Sequence, residues 1–166
     1  MSATKSLHYE LCKLGARLIR SRKNPTLPFN TPCKFATVEL VCAGAELTDV
    51  WGTNGYETVV IEVKTSHADF LADKRKYARS KQAQILNHQI GNYRYYLCPE
   101  GVIKKEELPE NWGLLAYDGK VIHRIKMATK VESSVTMELL HVTSVMSRIL
   151  KPQTFNFREK NEIKFV

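Results

Sequence analysis

The sequence predicts an α/β domain, a mixed central sheet flanked by helices in the order helix, three strands, helix, strand, β-hairpin, helix. Three observations carry that expectation. Leu7, Leu11, Leu14 and Leu18 recur at helical spacing near one end, and Val135, Leu139, Val142, Met146 and Ile149 do so near the other. Val59, Val60, Ile61 and Val63 form a near-continuous β-branched run, the pattern of a strand buried on both faces. Asn54-Gly55 and Asp118-Gly119 are the dipeptides of tight hairpin turns.

Taken in order, the first helix is expected from about Thr4 to Ser21. Arg17, Arg20, Arg22 and Lys23 crowd its C-terminal end, where cations suit the helix dipole, and Asn24-Pro25 and Leu27-Pro28 stop it. Three strands follow: Phe35 to Cys42, Glu46 to Trp51 and Glu57 to Lys64. Ser66 with Asp69 three residues on resembles a capping box and opens a second helix from His67 to about Gln82, with Phe70, Leu71, Tyr77 and Ala78 on its buried side. Tyr93 to Cys98 is a fourth strand. Leu114 to Tyr117 and Val121 to Ile125 form a hairpin, and an amphipathic helix from Ser133 to Leu150 ends at Lys151-Pro152.

A chain of 166 residues is long enough for one domain with its own core, so residues 1–166 are read as a single domain with the 133–150 helix inside it. No stretch approaches the roughly 20 apolar residues of a membrane span, and Met1 to Ser6 has no signal-like apolar run; a cytoplasmic protein is expected. Lys and Arg total 25 against 17 acidic residues, a net charge of +8, and such a field attracts polyanions, nucleic acid first among them. Cys12, Cys33, Cys42 and Cys98 form no CxxC pair, so their spacing is not that of a zinc site, and Cys12, Cys42 and Cys98, in apolar segments, read as reduced core thiols.

The chemistry concentrates between Asp49 and Lys64. Side chains alternate along a strand, so Glu62 and Lys64 share a face while Val63 points into the core. A hairpin pairing the second and third strands brings Asp49 near Glu62. Two carboxylates and an ammonium then share a small volume, and the hard cation Mg²⁺ (or Mn²⁺) suits oxygens from Asp49, Glu62 and the Val63 backbone carbonyl. Such an ion polarises a phosphate and acidifies a bound water, while Lys64 orients that water and stabilises developing charge. The plainer reading is an edge-strand ion pair worth at most about 1 kcal/mol. Against it, Glu62 lies within a run that should be central, where a lone charge is costly.

The strings Leu47-Thr48-Asp49-Val50-Trp51, Val59-Val60-Ile61-Glu62-Val63-Lys64-Thr65-Ser66 and Ala68-Asp69-Phe70 resemble the PD-(D/E)XK nuclease superfamily, nearest its small DNA-repair members of the MmcB-like group. The resemblance spans about Phe35 to Cys98, with Thr48 where the family name expects proline. It implies a restriction-endonuclease-like core and a metal-dependent deoxyribonuclease, hydrolysing DNA in repair, recombination or restriction. Asp49, Glu62 and Lys64 would be its catalytic residues, with Mg²⁺ or Mn²⁺ as cofactor. The family also places an acid on the first helix, which points to Glu10 as a further metal ligand, with Glu39 the weaker candidate. A catalytically inactive nuclease fold that only holds nucleic acid is the alternative.

The second helix carries Lys74, Arg75, Lys76, Arg79 and Lys81, and the resemblance implies that it lies beside the catalytic strand. Of these, Lys74, Arg75, Arg79 and Lys81 are the candidate DNA-phosphate contacts, and Lys74 falls on the buried stripe. RNA as substrate and a homodimer both stay open. The five histidines, His8, His67, His88, His123 and His141, show no HxxxH-type spacing and are given no metal role. Trp51 and Trp112 are read as packing residues.

Overall fold

The computed structural model describes residues 3–21, 31–42, 47–79 and 89–149, together with two two-residue strands, Phe155–Asn156 and Lys164–Phe165. It is an α/β fold built on one six-stranded mixed sheet with helices on both faces. Helix α1 (Ala3–Arg20) precedes β1 (Phe35–Leu40), β2 (Thr48–Thr53) and β3 (Thr58–Val63). Helix α2 (His67–Arg79) leads to β4 (Tyr93–Pro99), β5 (Gly113–Tyr117), β6 (Ile122–Lys126) and α3 (Val135–Ile149). Strands follow one another across the sheet in chain order; β3, β4 and β5 run parallel and the outer pairs antiparallel. A parallel β3–β4 pair needs a crossover, and α2 lies within it.

The turn chemistry is local. Asn54 Oδ1 accepts the N–H groups of Tyr56 and Glu57 at 2.8 Å each, and Gly55 takes φ +97°, which a Cβ would oppose. This fixes the β2–β3 register, Val50 opposite Ile61 and Thr53 opposite Thr58. Asp118 Oδ1 does the same for Lys120 and Val121 between β5 and β6.

One face of the sheet buries Val50, Val59, Ile61, Val63, Tyr95, Leu97 and Leu115 against Leu11, Cys12 and Ile19 of α1. Gly15 lies over this contact, where a Cβ would sit 3.4 Å from both Ile61 and Leu97, within ordinary van der Waals range. The other face holds Phe70 of α2 with Tyr96, Cys98, Trp112 and Leu114, and Trp51 and Val60 under α3. All four cysteines are buried free thiols.

Two helix faces differ from expectation. On α3, the apolar stripe of Val135, Leu139, Met146 and Ile149 faces outward, and Met137, His141 and Val142 pack inward instead. The rotation is set by Glu138, whose carboxylate accepts Trp51 Nε1, Thr58 Oγ1 and the Gly91 N–H, each at 2.7 Å. Three hydrogen bonds to one charged group outweigh part of the apolar stripe. On α2, Leu71 is exposed, and the half-buried place three residues after Phe70 belongs to Asp73. The expected extension of this helix toward Gln82 lies outside the described residues.

Candidate active site

The β2–β3 ladder ends at the Val50–Ile61 pair, just before Asp49 and Glu62. There the Asp49 side chain takes over from the backbone: its Oδ2 accepts the Val63 N–H at 2.7 Å. Val63 itself is buried and pairs with Leu97 of β4. Glu62, opposite Tyr96 across β3–β4, lies on the sheet face away from α1. Lys64, the first residue after β3, is held by the Leu97 carbonyl through its N–H at 2.9 Å.

Two carboxylates lie against the Lys64 ammonium. Its Nζ lies 3.6 Å from Glu62 Oε2 and 3.4 Å from Asp73 Oδ1. Asp73 Oδ2 in turn accepts the Tyr96 hydroxyl at 2.8 Å. Burial works to discharge the Lys64 ammonium, but Glu62, Asp73 and Asp49 outweigh it and its pKa is raised. Glu62 is raised as well: burial first, then the Asp49 charge, push it to about 8, against the pull of Lys64 and Arg94. Its Oε1 is buried with no hydrogen-bond partner among the described residues. A buried carboxylate oxygen in that state lacks the compensation such groups normally find.

Asp49 faces a second group of residues through its other oxygen. His8 Nε2 of α1 is 3.4 Å from Asp49 Oδ1, and His8 Nδ1 is 3.4 Å from Glu39 Oε1 and 3.6 Å from Cys12 Sγ. Burial, with the charges of Asp49, Glu39 and Glu62, raises the Cys12 thiol to about 12. Glu39 adopts φ +48° as it leaves the regular β1 ladder.

Asp49, Glu62 and Lys64 are thus brought together with the Val63 backbone between them. Glu10 is not: it is exposed and paired with Lys13, so the acid expected from α1 is absent and His8 occupies that approach. The reason is helical phase, since a residue two places from His8 points to solvent. Lys74 leaves its expected buried stripe for the surface, where its Nζ donates to the Glu107 carbonyl at 2.9 Å. Arg75 is exposed beside it. The Arg79 side chain and Lys81 lie outside the described residues. Sequence reasoning passed over three residues here. Asp73 carried a signal, being three residues after the buried Phe70. His8 and Cys12 carried another, a His-x-x-x-Cys spacing that places both on one helix face.

The donor set fits a hard divalent cation: carboxylates of Asp49 and Glu62 at one end of the sheet, with the Glu62 Oε1 atom lacking a partner. Searches with the chain found no matching family model and no matching curated protein. Among solved structures, a protein of unknown function from Silicibacter pomeroyi is similar, with 23% sequence identity, TM-score 0.58, and 84% of this chain and 83% of that chain covered. At that identity the likeness is one of fold. Among the described residues no helix is long and apolar enough to cross a membrane.

Proposed function

We propose that this chain is a metal-dependent nuclease of the PD-(D/E)XK type that hydrolyses DNA phosphodiester bonds in the cytoplasm, in repair, recombination or restriction. The observation that carries the reading is the buried Glu62 Oε1, without a hydrogen-bond partner among the described residues, on an acid that feels the Asp49 charge, with the Lys64 ammonium 3.6 Å from its other oxygen. A carboxylate costs several kcal/mol to desolvate, on the order of the penalties known for buried ions, unless something compensates it. Lys64 is one compensating charge, and a divalent cation on the free oxygen is the other.

Asp49, Glu62 and the Val63 carbonyl would hold Mg²⁺ or Mn²⁺. Bound there, the ion would polarise a phosphate oxygen and lower the pKa of a water. The protein does the rest. Asp49 is anchored through one oxygen to the Val63 N–H, so its other oxygen is presented in a fixed place. Lys64 is held in its charged form despite burial by the charges of Glu62, Asp73, Asp49 and Asp69. Its ammonium can orient an attacking water and stabilise the pentacovalent phosphorus, where little solvent screens it. Asp73, braced by Tyr96, positions that ammonium. Lys74 and Arg75 on the exposed side of α2 supply charges for flanking phosphates.

A nicking assay on supercoiled DNA with Mg²⁺ or Mn²⁺, comparing the parent with Asp49→Ala, Glu62→Ala and Lys64→Ala, tests this. Cleavage that survives all three substitutions sinks the mechanism. DNA binding without cleavage in the parent chain points to an inactive nuclease fold.

A further inference from the structure

We propose that His8, Cys12 and Asp49 form a second metal position, suited to a thiophilic cation such as Zn²⁺ and sharing Asp49 with the oxygen-lined centre. The ligand set stands without the nuclease reading; only the consequence of sharing Asp49 rests on it.

His8 and Cys12 are one turn apart on α1 and face the same way. Cys12 Sγ is 3.6 Å from His8 Nδ1, and His8 Nε2 is 3.4 Å from Asp49 Oδ1. One ligand atom from each of the three residues lies within 4.8 Å of the others. Zinc bonds of about 2.3 Å to sulfur and about 2.0–2.2 Å to nitrogen or oxygen put neighbouring ligand atoms about 3.3–3.6 Å apart in a tetrahedron. Capture therefore needs the three to close by little more than about an ångström. Asp49 has the right oxygen free for this, because Oδ2 is engaged by Val63 and Oδ1 faces His8. Glu39 Oε1, 3.4 Å from Nδ1, is placed to accept Nδ1–H when an ion binds Nε2, which fixes the tautomer of a metal-bound histidine; the Cys12 sulfur, 3.6 Å from Nδ1, then has to swing toward Nε2.

The donors also select the metal. A thiolate and an imidazole favour Zn²⁺ and its neighbours over Mg²⁺, Ca²⁺ or Mn²⁺. The His8 and Asp49 side chains are 26% and 22% exposed, so an ion can enter from solvent while the sulfur stays buried. As the sulfur–metal bond forms, the thiol proton leaves to solvent. With Zn²⁺ holding Asp49, the oxygen-lined centre loses a ligand, so zinc is expected to inhibit cleavage.

The test is titration of the reduced, metal-free full chain with Co²⁺, followed by absorbance. One equivalent should produce an intense near-ultraviolet thiolate-to-cobalt band that Zn²⁺ abolishes. Oxygen-only coordination at the Glu62 centre gives no such band. Cys12→Ser should remove it, His8→Ala should weaken Co²⁺ binding by about tenfold or more, and Cys98→Ser, on the opposite face of the sheet, should leave it intact. Should Cys12→Ser fail to fold, His8→Ala carries the test alone. Absence of the band, its survival in Cys12→Ser, or unchanged affinity in His8→Ala overturns the proposal. DNA takes no part in the measurement. An inactive chain that shows the band counts against the nuclease reading alone, and an active chain without it counts against the zinc position alone.

Discussion

Asp49 Oδ2 accepts the backbone N–H of Val63 at 2.7 Å, so a side chain on β2 closes the sheet where the β2–β3 ladder stops. This bond ties the position of one carboxylate to the residue between Glu62 and Lys64. Asp49→Asn keeps an oxygen that can accept the same bond and removes the charge. The expected result is a folded protein whose metal-dependent cleavage falls by more than about 100-fold, the loss of about 3 kcal/mol of transition-state stabilisation. Removing that charge should also lower the Glu62 pKa from about 8, because Asp49 is one of the groups that raise it. Carbon-detected NMR titration of the glutamate carboxyls reads the shift directly. An unmoved Glu62 resonance would show that the two acids do not interact.

Glu62 gives the metal-free protein a definite pH dependence. Its folded pKa, about 8, lies above the ordinary glutamate value of 4.5, so between those limits the folded state holds a proton the unfolded state has lost. Stability contributed by that proton is fully present below pH 4.5 and is lost as pH rises through about 8. The metal-free chain should therefore lose stability over this window, and Glu62→Gln should flatten the slope. Mg²⁺ or Mn²⁺ must displace the same proton, so binding should tighten with pH by up to about tenfold per unit there. Calorimetry in two buffers of different ionisation enthalpy measures the proton released. A pH-independent affinity would remove Glu62 from the ligand set.

How far the site was legible depends on what brought each residue to it. Asp49, Glu62 and Lys64 could be read because a two-residue turn signal and a period of two are local rules that carry a register from one strand to the next. Asp73 lies on the same helix stripe as Phe70, but a carboxylate on a buried stripe looks like an error of phase until Lys64 and Tyr96 are seen to meet it. His8 reaches Asp49 through the packing of α1 on the sheet, a tertiary fact that the His-x-x-x-Cys spacing alone does not give. The rotation of α3 was hidden for the opposite reason: its apolar pattern was strong, and a single glutamate overrode it. Sheet order followed the sequence well, since neighbouring strands in the chain are neighbours in space.

Asp73 is argued to act through Lys64 rather than on substrate. Asp73→Asn should lower the Lys64 pKa, since the Asp73 charge helps to raise it, and slow cleavage with little change in DNA affinity. Tyr96→Phe removes only the 2.8 Å hydrogen bond and should have a smaller effect, on the order of 1–3 kcal/mol when a charged acceptor loses a buried donor. The alkaline limb of the pH–rate profile distinguishes the two variants. It should move to lower pH in Asp73→Asn and stay nearly in place in Tyr96→Phe. Equal shifts would show that the charge of Asp73 is irrelevant.

Glu138 joins α3 to the sheet through three donors. Glu138→Ala leaves Trp51 Nε1 and the Gly91 N–H to find new partners, at about 1–3 kcal/mol for each one that stays buried, while Thr58 Oγ1 keeps Asn92 Oδ1 at 3.2 Å. The variant should unfold at distinctly lower denaturant concentration, and amides of α3 should exchange faster than those of β3. Uniform loss of protection across the sheet would contradict a local anchoring role.

Lys74 and Arg75 are exposed on the helix that follows the Glu62–Lys64 strand, and the chain carries a net charge of +8. If both contact DNA phosphates, each releases counterions on binding, and the slope of log affinity against log salt should fall by about 0.9 per contact removed. Lys74→Ala and Arg75→Ala should therefore reduce the slope by about one each, with similar losses on DNA of unrelated sequence, because phosphate contacts carry no base information. Lys74 is the sharper test. Its ammonium donates to the Glu107 carbonyl in the free protein, so DNA must compete for it, and its measured contribution should be the smaller of the two. Slopes identical to the parent in both variants would move the DNA-binding surface away from α2.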